Sequence, residues 1–339
     1  MSQKDQALTT NYIDSCDLSL SSSCMLRCKM CNLWNRQRDP QELNIEEWRY
    51  LIDALSKFMV SGPIRLHFGG GEPFLKEGIF DLIQFSTQKN FKTMVTSNGF
   101  LVDSKMASRI SDSGLAHITF SLDSLEEKVH DYLRGRKGSQ SRVLQAVKHI
   151  NNLAKKPTLG INCLISAVNL EGILPLARWV ISNDKISGVI FQAVIQPFDT
   201  ALDDQWYTKD MFSELWPKEI EKVEDVIDQL IGLKKSGNDK ISNSPDQLEA
   251  FKMYFRNPLE FIKQTVCPMN SASLLINWFG QVHFCGLLPN IGNIREDPIE
   301  EILLSKTSKD RQREMRLCNR NCNNKVNCFF KKEFIHYGG

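Results

Sequence analysis

The 339-residue sequence is short of several things, and each shortage removes a class of protein. No run approaches the roughly eighteen uninterrupted apolar residues of a membrane-spanning helix, so neither a membrane protein nor a membrane partner is expected. The opening MSQKDQALTTNYIDS lacks the apolar core of a signal peptide, which argues against export and for a cytoplasmic location. Neither sign of charge is in excess. The 42 Lys and Arg face 40 Asp and Glu, and a net charge of +2 leaves no footprint for nucleic acid. Histidine is scarce, with six copies and no H-x3-H pair, so an imidazole metal site is not expected. Internal repeats and low-complexity tracts are absent. What remains is an ordinary globular composition, 42% apolar and 24% charged, in a chain long enough to bury a core without disulfide staples.

Cysteine is the exception, with ten copies. Cys24, Cys28 and Cys31 cluster near the start, and Cys267, Cys285, Cys318, Cys322 and Cys328 fall in the last quarter, while Cys16 and Cys163 stand alone. In a reducing compartment disulfides are disfavoured, and thiols at short spacing read as metal ligands.

Between the two clusters, short β-rich runs alternate with longer helical patterns. Strand patterns cover 18–21, 64–68, 93–97, 117–122, 159–166 and 188–195, and amphipathic stretches cover 45–58, 80–89, 104–111, 142–153 and 170–181. Asn44, followed three residues later by Glu47, has the form of a capping box and predicts a helix start. Six strands alternating with helices predict an α/β fold with a parallel sheet, because each parallel return needs a crossover. An open twisted sheet and a partial barrel both satisfy the pattern. Either one places its ligand site at the carboxyl ends of the strands. The cysteine loop, Gly69-Gly-Gly-Glu72-Pro73, Asn98-Gly99 and Asp123 each follow a predicted strand, so all four fall on one rim. Beyond the last strand, 211–235 reads as one long helix broken near Trp216-Pro217, and 236–245 is a polar, turn-rich linker. Short strands are predicted at 274–277 and 281–284, with Gly280 turning between them.

Cys24-Met-Leu-Arg-Cys28-Lys-Met-Cys31 has the spacing C-x3-C-x2-C. Three thiolates so close together can wrap one inorganic cluster, whereas structural zinc wants a fourth ligand and none lies nearby. Three ligands on a 4Fe-4S cluster leave one iron open to a chelating molecule. This loop after the first strand, GGGEP after the second, TSNG after the third, and Ser121-Leu-Asp-Ser with Arg134-Gly135 downstream resemble the radical S-adenosylmethionine (radical SAM) enzymes over about residues 14–200. Met30 departs from the pattern, since an aromatic residue usually precedes the third cysteine. The resemblance implies a partial (β/α)6 barrel in which Cys24, Cys28 and Cys31 hold a 4Fe-4S cluster that chelates S-adenosylmethionine. It also implies that a one-electron donor such as a flavodoxin or ferredoxin drives cleavage to a 5′-deoxyadenosyl radical. Residue by residue, Gly70, Gly71 and Glu72 match the segment that receives the amino group of S-adenosylmethionine. Asn98 and Ser121 match positions near its ribose and methionyl part, Arg134 is matched to its carboxylate, and Asp123 to a position nearer substrate.

The later cysteines, Cys267 and Cys285 followed by Cys318-x3-Cys322-x5-Cys328, resemble the SPASM/twitch extension of many such enzymes. The full SPASM pattern has seven cysteines, and five remain here, which implies a single auxiliary 4Fe-4S cluster; four cysteines would satisfy zinc as readily. The expected organisation is a core over 14–235, a linker and helix over 236–266, and a small cysteine-rich α+β extension over 267–339.

Cys163 lies in a predicted strand, on the face shared with Ile161 and Ile165 and opposite Asn162. That face favours packing, and the alternative is a catalytic hydrogen-atom donor to a substrate radical. Cys24 comes too early for a preceding leader-recognition domain of about eighty residues, an ordinary size for a small domain. On that ground the expected substrate is a small polar metabolite resembling a sugar or aminocyclitol, undergoing dehydrogenation or epimerisation. The alternatives are a maturase that epimerises or cross-links a ribosomally made peptide, and an iron–sulfur or zinc protein without turnover.

Overall fold

The computed structural model describes residues 13–36, 39–59, 62–264, 273–318 and 326–327. Six runs rich in β-branched and aromatic residues form strands β1 (Ser15–Ser19), β2 (Arg65–Gly69), β3 (Lys92–Ser97), β4 (His117–Ser121), β5 (Thr158–Ile165) and β6 (Gly188–Ala193). They lie side by side in chain order, each parallel to the next. Helices Ile45–Ser56, Ile79–Gln88, Ser104–Asp112, Ser139–Asn151 and Ile173–Ser182 make the returns, as the alternation predicts. A further helix, Glu127–Arg134, forms directly after β4, in a stretch too polar to announce itself. No helix among the described residues is long and apolar enough to cross a membrane.

Along each strand one face is apolar and the other is not. Cys16 and Leu18, Leu66 and Phe68, Ile161 and Cys163, and Phe191 and Ala193 are fully buried in the core shared with the helices. Asp17, His67, Thr96, Asn162 and Gln192 alternate with them and share the opposite face. The result is a partial (β/α)6 barrel with a polar inner surface.

The capping box predicted at Asn44 forms. Its side chain accepts from the Glu46 and Glu47 N–H groups, and Glu47 accepts in return from the Asn44 N–H at 2.8 Å. The same Glu47 carboxylate takes a bidentate pair from Arg295 at 2.6 and 3.0 Å, so the helix start is also an anchor for the C-terminal region. That region does not hang from the barrel. Strand β7 (Ser273–Ile276) pairs parallel to β1, and β8 (Gln281–His283) and β9 (Gly292–Asn293) continue antiparallel, which gives one nine-stranded sheet. Gly280, at φ +81°, makes the predicted turn.

The long helix expected over 211–235 is broken at Trp216-Pro217, leaving Asp210–Ser213 and Ile220–Lys235. Trp216 packs against Trp206, Tyr254 and Phe255 with ring centroids 5.3 to 5.7 Å apart, so these aromatics are core. The polar stretch 236–245 reads as a linker by composition, yet it lies along the outer edge of β6. There Val189 donates to Lys240 O and accepts from Ser242 N.

Candidate functional site

The cysteine loop leaves β1 at the carboxyl rim and is held on two sides by backbone. On one side Gly71 and Glu72 donate to Ser21 O and Ser23 O, each at 2.8 Å; on the other, Lys29 and Arg27 donate to Leu133 O and Arg134 O at 2.8 and 3.2 Å. Both contacts require glycine. A Cβ on Gly71 would lie 2.1 Å from Ser23 O, and one on Gly135, which sits at φ +63°, would lie 2.0 Å from Arg27 O. Gly70 and Gly71 were expected to admit a ligand's amino group. They do border the cavity described next, but what demands glycine there is the close approach of the cysteine loop.

Cys24, Cys28 and Cys31 line one cavity of about 380 Å³, whose other walls include Gly70, Gly71, Asn98, Ser121 and Arg134. Burial pushes the Cys24 and Cys31 thiols up to about 11, with weaker contributions from neighbouring thiols. Burial also raises Cys28, against the opposing pull of Arg134. Three thiols that share a cavity and resist ionisation in spite of Arg134 beside Cys28 would be held as thiolates by a bound metal. Thiolates around a single zinc would crowd within about 4 Å of one another. Among the described residues no three thiol, imidazole or carboxyl groups gather as one ion needs. Three cysteines on one cavity wall can hold a cluster at three of its corners, and the remaining cavity has room for a chelating organic molecule.

Several candidate residues stand elsewhere than the sequence suggested. Glu72 is buried behind the cavity wall. Its carboxylate accepts from Ser97 Oγ at 2.8 Å and from the Asn98 N–H at 2.9 Å, so it shapes the Asn98 turn instead of presenting a free oxygen. Burial raises it to about 7 in spite of those donors. Asn98 itself faces the cysteine loop, with Nδ2 3.8 Å from Cys24 Sγ. Asp123, expected nearer substrate, is wholly buried. It accepts from Arg134 Nε and Nη2 at 2.7 and 3.0 Å and from the Leu164 N–H at 3.0 Å. Arg134 does border the cavity, but two of its N–H groups belong to Asp123, and Cys28 lies beside it. The pair is an internal ion pair, which a carboxylate with no water to solvate it requires. Cys163 is also wholly buried, with Sγ 3.7 Å from Asp123 O and no border on the cavity. It lies on the packed face of β5 with Ile161 and Ile165.

The polar cavity residues His67, Thr96, Asn162 and Gln192 carry no role in the sequence analysis, although Thr96 opens the TSNG run. His67 bridges Asp17 and Thr96, each at 2.8 Å, and Asn162 Nδ2 donates to Gln192 Oε1 at 3.1 Å. The available signal was one polar residue at every second position in otherwise apolar strands. A larger groove, about 550 Å³, lies against the cysteine loop and shares Cys28 and Cys31 with the cavity. The segment after β6 forms its far wall. It is tied to the loop by Asn32 N–H to Phe198 O at 2.8 Å and by the Arg36–Asp199 pair at 2.5 and 2.6 Å. Of the later cysteines, Cys285 and Cys318 are half-buried, and Cys267, Cys322 and Cys328 lie outside the described residues.

Comparison with known proteins agrees with this geometry. Residues 18–180 match the radical SAM superfamily, and residues 267–328 match the SPASM iron-sulfur cluster-binding domain. Over 155 residues the chain is 29% identical to the PqqA peptide cyclase of Granulibacter bethesdensis, a stretch that covers 45% of this chain and 40% of that protein. The chain thus spans less than half of that relative. It is 23% identical over 295 residues to the AdoMet-dependent heme synthase of Nitratidesulfovibrio vulgaris, covering 84% of this chain and 76% of the synthase. The fold matches Streptococcus suis SuiB bound to S-adenosylmethionine with a TM-score of 0.70 at 17% identity, over 98% of this chain and 78% of that one. SuiB is also known bound to its precursor peptide SuiA.

Proposed function

This chain belongs to the radical SAM superfamily and carries a SPASM cluster-binding domain, and from that premise we propose that it epimerises or cross-links a peptide. Its cofactors are 4Fe-4S clusters and S-adenosylmethionine, which when bound and reduced supply a 5′-deoxyadenosyl radical that takes a hydrogen atom from substrate. In this reading Cys24, Cys28 and Cys31 hold the N-terminal cluster. The Gly70–Gly71 backbone, Asn98, Ser121 and Arg134 hold S-adenosylmethionine, and Asp123 and Glu72 act behind them as positioning residues. A flavodoxin or ferredoxin supplies the electron.

The observation that carries the peptide reading is a pairing of likeness and shape. The relatives matched over the barrel include a peptide cyclase, and the 550 Å³ groove that shares Cys28 and Cys31 with the cofactor cavity is open, with Trp34 and Met211 exposed in its wall. An extended chain can lie in such a groove with one side chain directed toward the cavity. The expected small polar metabolite gives way, because it rested only on how early Cys24 falls in the chain. A second reading, a tetrapyrrole substrate, is favoured by the match to a heme synthase over 84% of the chain.

The test is anaerobic turnover of the reconstituted enzyme with dithionite and S-adenosylmethionine, offering short peptides in one set of tubes and iron porphyrins in the other. Faster 5′-deoxyadenosine formation together with a peptide product lighter by two hydrogens supports cross-linking. Deuterium uptake from solvent without change of formula supports epimerisation. A porphyrin product with peptides inert would replace the peptide reading by the second.

A further inference from the structure

The outer edge of β6 presents backbone donors and acceptors at alternate residues, Val189, Phe191 and Ala193, and each of the three is met differently. The main chain of 240–242 pairs with Val189. The Asn243 side chain pairs with Phe191, accepting from its N–H at 2.7 Å and donating to its carbonyl at 2.9 Å. Asn327 repeats that geometry two residues further on, accepting from the Ala193 N–H at 2.9 Å and donating to Ala193 O at 2.7 Å. A primary amide carries one donor and one acceptor at the spacing of a peptide group, so both asparagines imitate a neighbouring strand and cover an edge that would otherwise be unpaired.

The two are not equivalent in the chain. Asn243 belongs to the segment that already lies along β6. Asn327 lies 134 residues from Ala193, directly before Cys328 in the sequence. Its neighbour Val326 is fully buried, so the segment reaches the barrel with an apolar anchor and a polar clamp together. Asn327 also borders a cavity of about 330 Å³ with Met30, Leu164, Gln192 and Phe198. Met30 lies between Cys28 and Cys31, so Asn327 and the N-terminal cysteine loop border the same cavity.

We infer that Asn327 is a positioning residue that locks the C-terminal cysteine segment onto the free edge of β6, so that its metal centre and the end of that strand are ordered together. This rests on the reading of the C-terminal cysteines as cluster ligands. If the two are coupled, the coupling is reciprocal: removing the metal loosens the clamp, and removing the clamp disturbs the metal.

The experiment is amide hydrogen exchange of the cluster-loaded protein, read at Ala193 with Phe191 as internal reference, beside electron paramagnetic resonance of the reduced clusters. In Asn327→Ala, Ala193 is expected to exchange at least about tenfold faster while Phe191 is unchanged, and the auxiliary-cluster signal is expected to shift or broaden. Asn327→Asp, which keeps the acceptor for the Ala193 N–H, should recover part of the protection. Cys318/Cys322/Cys328→Ser should speed Ala193 exchange as Asn327→Ala does. Unchanged Ala193 exchange in the cysteine variant, or an unchanged auxiliary signal in Asn327→Ala, would overturn the coupling. 5′-Deoxyadenosine formation by wild type in the same preparation reads the radical chemistry separately, so failure of that reading and failure of the clamp are told apart.

Discussion

Two buried titratable groups flank the candidate site, and they respond to acid in opposite senses. His130 is almost wholly buried on the helix Glu127–Arg134, and its Nδ1 accepts from the Asp123 N–H at 3.1 Å, which places the ring proton on Nε2. Burial lowers it from 6.5 to about 4. The unfolded chain therefore binds a proton below pH 6.5 that the folded one refuses, and stability falls as pH drops from 6.5 to 4. Glu72 is raised by burial from 4.5 to about 7, so the folded state holds a proton the unfolded chain has released, and stability rises as pH drops from 7 to 4.5. Each displacement corresponds to about 3 kcal/mol, a sizeable part of the roughly 5–15 kcal/mol that holds a domain folded. Between pH 4.5 and 6.5 the two slopes oppose and nearly cancel. Urea unfolding of the metal-free chain across this range should then show little slope from these groups. Glu72→Gln, which removes the opposing term, should lose about 3 kcal/mol relative to wild type on going from pH 7 to 4.5. His130→Gln, which keeps an acceptor for the Asp123 N–H, should gain a similar amount relative to wild type between pH 6.5 and 4. Other carboxylates, such as Glu47 beside Arg295, act equally on all three proteins and drop out of the differences. Three parallel curves would refute the reasoning.

Three further outcomes follow from the site. Asp123→Ala leaves Arg134 in the interior without its carboxylate, and should cost about 3–5 kcal/mol of stability in denaturant titration as well as lowering iron uptake, since Arg134 lies beside Cys28. Gly71→Ala puts a methyl group 2.1 Å from Ser23 O, so the cysteine loop must shift; about 1–3 kcal/mol of destabilisation and a reduced iron content measured after reconstitution are expected. Cys24/Cys28/Cys31→Ala should hold about four irons against about eight in wild type and form no 5′-deoxyadenosine; zinc in place of iron on the remaining cysteines would remove the auxiliary electron acceptor.

Legibility of this chain tracked the length scale of the interaction. Strands, helices and the rim on which the motifs fall follow from periodicity and local turn chemistry, and Cys163 falls on the packed face because strand alternation puts it with Ile161 and Ile165. The capping box at Asn44 was readable for the same reason, since both partners lie within one turn. What periodicity could not reveal is which partner claims a polar group. Glu72 and Asp123 carry the charge expected of ligand-facing residues, but Ser97, Asn98 and Arg134 reach them first, through contacts 11 to 26 residues apart in sequence. The same limit hides the edge of β6. Asparagine in a polar stretch reads as loop, because its composition says nothing about a strand that its amide can imitate, yet Asn243 and Asn327 each complete one step of the ladder. Polar residues flanking a parallel sheet are therefore ambiguous by nature: the same amide can line a pocket, as Asn162 does, or stand in for backbone. Only the neighbour in space decides between the two, and at Asn327 that neighbour is 134 residues away.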